Sequence, residues 1–243
     1  DRCEVIVQPQ NREKSAARNT GLQAAGTDYV AFLDSDDLLT PTAMAALLAV
    51  FAADPAFDGV AYGACTVGDR LETAPADLPR GRVLHAYVRN HFLHTPSCLY
   101  PRQRLVDLGG YREDLTNLED VELFIRLMSR CEFRPCAEVV CRIRKQPDAA
   151  SADHAAARAQ GRRLLTRLQE DETAMAALGD DFAVVEYGVL HELLRACYKC
   201  GAWHDYCELF AELRARFPER LSARMRRRYW RARVGAALGP RRS

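Results

Sequence analysis

The apolar run Tyr29-Val30-Ala31-Phe32-Leu33 breaks off into Asp34-Ser35-Asp36-Asp37. No other feature limits the fold as sharply. A continuous apolar run of strand length is what a strand buried on both faces of a parallel sheet looks like. The carboxylates that follow repel one another unless something offsets their charge. A hard divalent cation with oxygen ligands does so, taking one or two carboxylates and completing its shell with substrate phosphates. Asp36 or Asp37 can equally serve as the cap of a following helix. In open α/β sheets ligands sit at the carboxyl ends of the strands. That rule puts Asp34 to Asp37 at the mouth of a site.

The flanking segments support an α/β reading. Glu4 to Val7 is a short β-branched strand candidate, and Asn11 to Ala25 reads as a loop entering an alanine-rich helix with Gly26 as its C-terminal cap. Thr40-Pro41 opens a helix that Asp54-Pro55 closes, with threonine able to cap and proline suited to the first position. Gly59 to Thr66, Ser97 to Tyr100 and Glu138 to Ile143 are further strand candidates, and the polar stretch to Arg82 is a loop. Helices are expected over Leu84 to Phe92, Arg102 to Leu108 and Asp120 to Cys131, the last with Val121, Phe124, Leu127 and Met128 on one face. From Ser151 on, everything reads helical, with breaks near Gly179, Gly201 and Pro218. Strand-helix alternation over 1–150 predicts a mostly parallel sheet flanked by helices, and 151–243 a helical region.

Composition excludes little else. A net charge of +1 gives no general reason to expect nucleic acid as a partner. No apolar run is long enough to span a bilayer, and no signal peptide opens the chain. The first residue is Asp1, and a strand candidate follows at once, so the chain reads as cut from a longer one. Nine cysteines in a chain of 243 residues do not suit a small disulfide scaffold. Cys197 and Cys200 have CxxC spacing, with His191 and His204 near them. Reduced thiols packed on helices are the favoured reading over a zinc site.

The motifs converge on one family. The stretch Asn11-Arg-Glu-Lys14-Ser15-Ala-Ala17-Arg18-Asn19-Thr-Gly21, followed by Ala25-Gly26-Thr-Asp-Tyr-Val-Ala-Phe-Leu-Asp34-Ser-Asp36-Asp37, resembles the core signature of family 2 glycosyltransferases. Gly109-Gly110-Tyr111 with Leu118-Glu119-Asp120 and Arg126-Leu127 is similar to that family's second signature. The resemblance implies the GT-A fold and metal-dependent transfer of a sugar from a nucleoside-diphosphate donor, UDP favoured, to a hydroxyl acceptor with inversion. It implies magnesium or manganese at Asp36 and Asp37, and a donor site of Lys14, Arg18, Asn19, Asp34, Asp36 and Asp37. Asp120 resembles the general base, and Glu119 would bind or orient the acceptor. Gly21 would be a packing glycine, and a salt bridge orienting the loop is an equal reading for Arg18. Glu119 and Asp120 can also be read as simple caps of the helix they open.

Two departures are visible. Arg112 stands where the family carries an acid, and Gln146 where many members carry a histidine, leaving Arg144 or Lys145 to neutralise diphosphate. The resemblance covers about residues 4 to 151, without the family's first nucleotide-binding strands. A sugar nucleotidyltransferase and a non-catalytic remnant that binds partners remain the rival readings. The acceptor expected is a glycan or a lipid-linked one, as in cell-envelope polysaccharide synthesis, at the cytoplasmic face of a membrane. The arginine-rich stretch Arg220 to Leu238, with Met225, Tyr229, Trp230 and Val234, fits peripheral membrane contact. A solvated helix packed by its apolar side is the plainer alternative. His85, His91 and His94 read as surface or satisfied histidines.

Overall fold

The computed structural model describes residues 3–144 and 154–238. These fall into two compact units, one within Asp1–Asp148 and Arg167–Gly179, the other within Ala149–Thr166 and Asp180–Ser243. The first contains α1 (Glu13–Ala24), β1 (Tyr29–Val30), β2 (Leu38–Leu39), α2 (Ala43–Ala53), β3 (Val60–Val67) and β4 (Arg70–Leu71). It continues with α3 (Leu84–Asn90), β5 (Cys98–Pro101), α4 (Arg102–Asp107), α5 (Glu119–Met128) and β6 (Phe133–Ile143). Then come α6 (His154–Gln169), whose residues up to Thr166 belong to the second unit and those from Arg167 to the first, and α7 (Glu172–Leu178). The second unit holds α8 (Phe182–Cys200), α9 (Trp203–Arg216) and α10 (Ala223–Leu238).

The sheet order is β1-β5-β3-β6-β2, with β4 hairpinned onto β3. The α/β class is as expected, but the strand directions are mixed. β3 and β6 run parallel, while β1–β5, β3–β5, β2–β6 and β3–β4 are antiparallel. β3 is the buried centre, and its residues alternate between the two faces of the sheet. Ala61 joins Leu47 and Phe51 of α2 and Val140 of β6 in one cluster. Tyr62 points the other way, with its ring 5.8 Å from that of Phe92. Gly63 faces Val140 so closely that an added Cβ would lie 2.5 Å from a valine methyl.

Several expectations change. Glu4 to Val7 forms no strand, and Val5 and Val7 are exposed. Branched side chains favour extended backbone, but a strand also needs a neighbour for its N–H and C=O groups. Only Tyr29 and Val30 of the apolar run are laddered, antiparallel to Pro101 and Tyr100 at the edge of the sheet. Ala31 and Leu33 are exposed, so the run is not a buried parallel strand. Thr40 does not cap α2. Its hydroxyl donates to the carbonyl of Val139 at 2.9 Å, tying the approach of α2 to β6. Gly26 is not the cap of α1, which Ala25 ends in extended conformation. Leu38–Leu39, unforeseen as a strand, pairs with Arg142 and Cys141. The expected loop before Arg82 contains β4 and a short 3-10 turn, Pro75–Asp77.

The helical unit has its own core. Leu190, Leu194, Tyr206, Leu209, Leu213 and Ala232 are buried together. Each buried leucine contributes about 2 kcal/mol by transfer. Two ion pairs, Arg158–Asp205 and Arg162–Glu212, tie the part of α6 in this unit to α9. Cys197 packs in this core while Cys200 is exposed, so the two thiols of the CxxC do not share an environment.

Candidate active site

The site is assembled from α1, the acidic turn after β1, and the loop that enters α5. Ser15, Arg18 and Leu22 lie three and four residues apart on α1 and therefore share one buried face, with Asn19 beside them. That face is stitched to the second motif. The Ser15 hydroxyl donates to the carbonyl of Leu115 at 3.0 Å. Asn19 makes a reciprocal pair with Tyr111, its Nδ2 donating to the carbonyl at 2.9 Å and its Oδ1 accepting the N–H at 2.8 Å. The neighbouring Gly110 has φ 66°, and a Cβ there would lie 2.4 Å from Asn19 Oδ1. The glycine is needed both for the turn and for the close approach. Thus the two sequence signatures fit one another.

Arg18 is the centre of this arrangement. It is 9% exposed. Its Nη1 lies 2.8 Å from Glu119 Oε1 and its Nη2 2.6 Å from Asp34 Oδ1. The guanidinium carbon stands 5.1 Å from the centre of the Tyr111 ring. Burial disfavours the charged guanidinium, but Tyr111, Asp34 and Glu119 outweigh it and push the arginine's pKa up. Lys14 Nζ lies 2.8 Å from the same oxygen of Glu119. The second oxygen, Oε2, is buried without a hydrogen-bond partner. Glu119 is 1% exposed and does not cap α5; it is the anion on which two α1 cations converge.

The acidic turn is held by the residue that follows β6, the partner strand of β2. The Asp37 N–H donates to the carbonyl of Asp34 at 3.0 Å, closing the turn. The backbone N–H of Arg144, just beyond β6, donates to Asp37 Oδ1 at 3.1 Å. The Arg144 side chain donates to the carbonyls of Asp36 and Ser35. Burial, and next the charges of Asp36 and Asp34, push the Asp37 carboxyl pKa up; the Arg144 contact and His94 oppose this. Among the described residues no three histidine, cysteine or acidic side chains form a cluster able to hold a metal on their own. Two neighbouring carboxylates on one turn suit a cation that takes most of its ligands from a diphosphate and water.

Asp120 follows Glu119 at the start of α5, half-buried, with its Oδ1 accepting the N–H of Val121 at 2.8 Å. Its charge is felt by Tyr87 and Tyr111. Three acids lie in the first turn of the helix, where the dipole favours anions. Glu122 is committed elsewhere, to a buried bidentate pair with Arg126, whose guanidinium also donates to the carbonyls of Leu108 and Gly110. Arg112, the departure from the family pattern, places Nε 3.6 Å from Glu122.

The structure therefore brings Lys14, Arg18, Asp34 and Glu119 into one network. It sets Asn19 on the backbone of the second motif and Asp36 and Asp37 against Arg144. Lys145 and Gln146 lie outside the described residues. His94 pairs with Glu72 at 2.6 Å, and His91 is exposed at the end of α3. Tyr111 and Glu113 are site components missed by sequence reasoning. Tyr111 occupies the aromatic position after the two glycines, a usable signal. Glu113, which receives Arg12 at 2.5 Å and Asn19 at 3.1 Å, carried none. An open groove runs beside the network, lined by Ala17, Arg18, Gly21, Val30, Phe32 and Asp34.

Residues 1–106 match the model of Glycosyl transferase family 2. A Pre-mycofactocin glycosyltransferase of Mycobacterium tuberculosis (strain CDC 1551 / Oshkosh) is 33% identical over 151 residues, covering 56% of this chain and 31% of that protein. An uncharacterized glycosyltransferase of Haemophilus influenzae is 25% identical over 138 residues, covering 54% of this chain and 46% of that protein. The chain thus spans less than half the length of these curated relatives. Among solved structures, S. aureus TarS 1–349 in complex with UDP-GlcNAc superposes with a TM-score of 0.51 at 12% identity, covering 96% of this chain and 74% of that one. That likeness concerns the fold.

Proposed function

We propose that this chain, whose residues 1–106 match the model of Glycosyl transferase family 2, is a member of that family and transfers a sugar from a nucleoside-diphosphate donor to a hydroxyl acceptor. The observation that carries the reading is the bridge formed by Arg18. One guanidinium holds Asp34 of the acidic turn and Glu119 of the second motif, so the two acidic segments belong to one site. A donor diphosphate needs charge compensation as it departs, and an acceptor hydroxyl needs a base.

Asp36 and Asp37 would hold a magnesium or manganese ion, which supplies charge stabilisation to the leaving diphosphate. Arg144 orders the turn that presents them. Asp120, at the N-terminus of α5, would accept the acceptor's proton as the new bond forms. Attack from the side opposite the diphosphate gives inversion in a single displacement. Glu119 would have a positioning part, holding Lys14 and the Arg18 guanidinium that also reaches Asp34. Lys14 and Asn19 belong to the donor side of the same framework. UDP is the favoured nucleotide; TarS, which shares the fold, was crystallised with UDP-GlcNAc. The acceptor would be a glycan or a lipid-linked one. Among the described residues no helix is long and apolar enough to cross a membrane.

Calorimetric titration of UDP, with and without manganese, tests the reading on the chain and on an Asp36→Ala, Asp37→Ala variant. Manganese-dependent binding that disappears in the variant is the expected result. Binding that ignores both manganese and the aspartates would sink it. With a sugar nucleotide and acceptor, release of nucleoside diphosphate is expected, whereas pyrophosphate chemistry would point to a nucleotidyltransferase.

A further inference from the structure

α10 has two faces of different character. Met225 and Ala232 are buried, and the Tyr229 ring stacks on Phe210 with centroids 4.4 Å apart. Gly235 lets the helix approach Trp203 so closely that an added Cβ would lie 2.7 Å from the indole. These contacts fix the rotation of the helix on the core of its own unit. They use up one side of it, and the other side is not polar throughout. Trp230 is 63% exposed and Val234 60% exposed.

At 3.6 residues per turn, Trp230, Val234 and Ala237 form a narrow outward stripe. Arg226 and Arg233 border it on one side, Arg227 and Arg231 on the other, and all four are exposed. The guanidinium of Arg233 lies 5.5 Å from the Trp230 ring centre. Ala223–Leu238 contains six arginines and no acid. The core contacts of α10 leave the tryptophan and the valine facing away from the core of their unit, together on one stripe. An apolar stripe with cationic flanks matches a surface whose outer layer is anionic and whose interior is apolar.

We propose that the outer face of α10 docks on an anionic lipid bilayer. Trp230 and Val234 enter the headgroup–acyl boundary, and Arg226, Arg227, Arg231 and Arg233 meet lipid phosphates. Nucleic acid would satisfy the arginines, but it offers Val234 nothing. The charge and the apolar stripe together favour lipid, independently of the chemistry at the acidic turn.

The test is co-sedimentation of the chain with vesicles of equal parts phosphatidylcholine and phosphatidylglycerol, compared with pure phosphatidylcholine. Strong binding to the anionic vesicles, weakened by salt, is expected. Arg226→Glu, Arg227→Glu should weaken it by more than about ten-fold, given roughly five-fold for each basic residue. Trp230→Ser, Val234→Ser should weaken it at unchanged charge. The altered side chains are exposed, and far-UV circular dichroism checks that each variant stays folded. Equal binding to both vesicle types, indifference to either variant, or binding to single-stranded nucleic acid without vesicle binding would overturn the proposal.

Discussion

Arg18 and Glu119 are 101 residues apart in the chain and 2.8 Å apart in the fold, and both are buried. Removing Arg18 leaves the buried Glu119 with only the half-exposed Lys14 as its cation. Arg18→Met should therefore cost about 3 kcal/mol of stability. Arg18→Met combined with Glu119→Gln should cost less than the sum of the single changes, because the charges then left without partners, Lys14 and Asp34, are half exposed and can be solvated. Urea unfolding of the single and double variants checks this, and additive losses would show that the pair is not coupled.

Asp120→Asn keeps the side-chain shape and its contact with the Val121 N–H but cannot accept a proton. Transfer should fall by about 100-fold or more. Manganese-dependent UDP binding should stay unchanged, since Asp120 is not among the residues assigned to the metal. A variant that loses donor binding in parallel would place Asp120 in the donor site instead.

The raised Asp37 pKa has a sign that can be followed. Its folded pKa lies above the unfolded one, chiefly through burial, so the protonated form is favoured in the fold. This contribution to stability is complete below the unfolded pKa and is lost as pH rises through the folded pKa. At neutral pH without metal, the ionised Asp37 thus weighs against the fold. Asp37→Asn should raise Tm by up to about 2 °C at pH 7 and by nothing below about pH 3.5. The same variant should lose manganese binding. Thermal melts across pH with a chelator present provide the measurement.

Two glycines should resist even one added methyl group. Gly110→Ala meets both a positive φ and Asn19 Oδ1, so it should separate α1 from the second motif. Gly63→Ala meets Val140 across the sheet. Each should cost about 1–3 kcal/mol. They differ in effect: Gly110→Ala should also depress transfer, whereas Gly63→Ala should act on stability alone. Parallel denaturation and activity assays separate the two.

The acidic turn and the start of α5 were legible in the sequence because charge at the end of an apolar run and acids at a helix start are local patterns. The roles of Lys14 and Arg18 were less so. Lys14 reads as a donor contact and Arg18 as either a donor contact or a loop-orienting salt bridge; the charges of both meet Glu119, a long-range pairing that no spacing along the chain encodes. The strand at Glu4 to Val7 was misread for a related reason. Propensity is local, but a ladder requires a partner, and Val5 and Val7 stand exposed. Likewise, periodicity marked the apolar positions of α10 without telling which of them faced the core. Only the approach of Gly235 to Trp203 and of Tyr229 to Phe210 decides that Trp230 points outward.

The clamp of Arg144 on Ser35, Asp36 and Asp37 has a kinetic consequence. The turn is adjacent in sequence to β1, yet it is shaped by a residue 107 positions away from Asp37. Closing so long a loop comes late, after local helices have formed. We expect the three aspartates to remain a loose polyanion during refolding until β6 has registered against β2. Manganese protection of the turn would then appear as the slowest phase in stopped-flow refolding, and ion binding would report the last contact made in the domain. A manganese signal that leads the burial of the β3–β6 core would contradict this order.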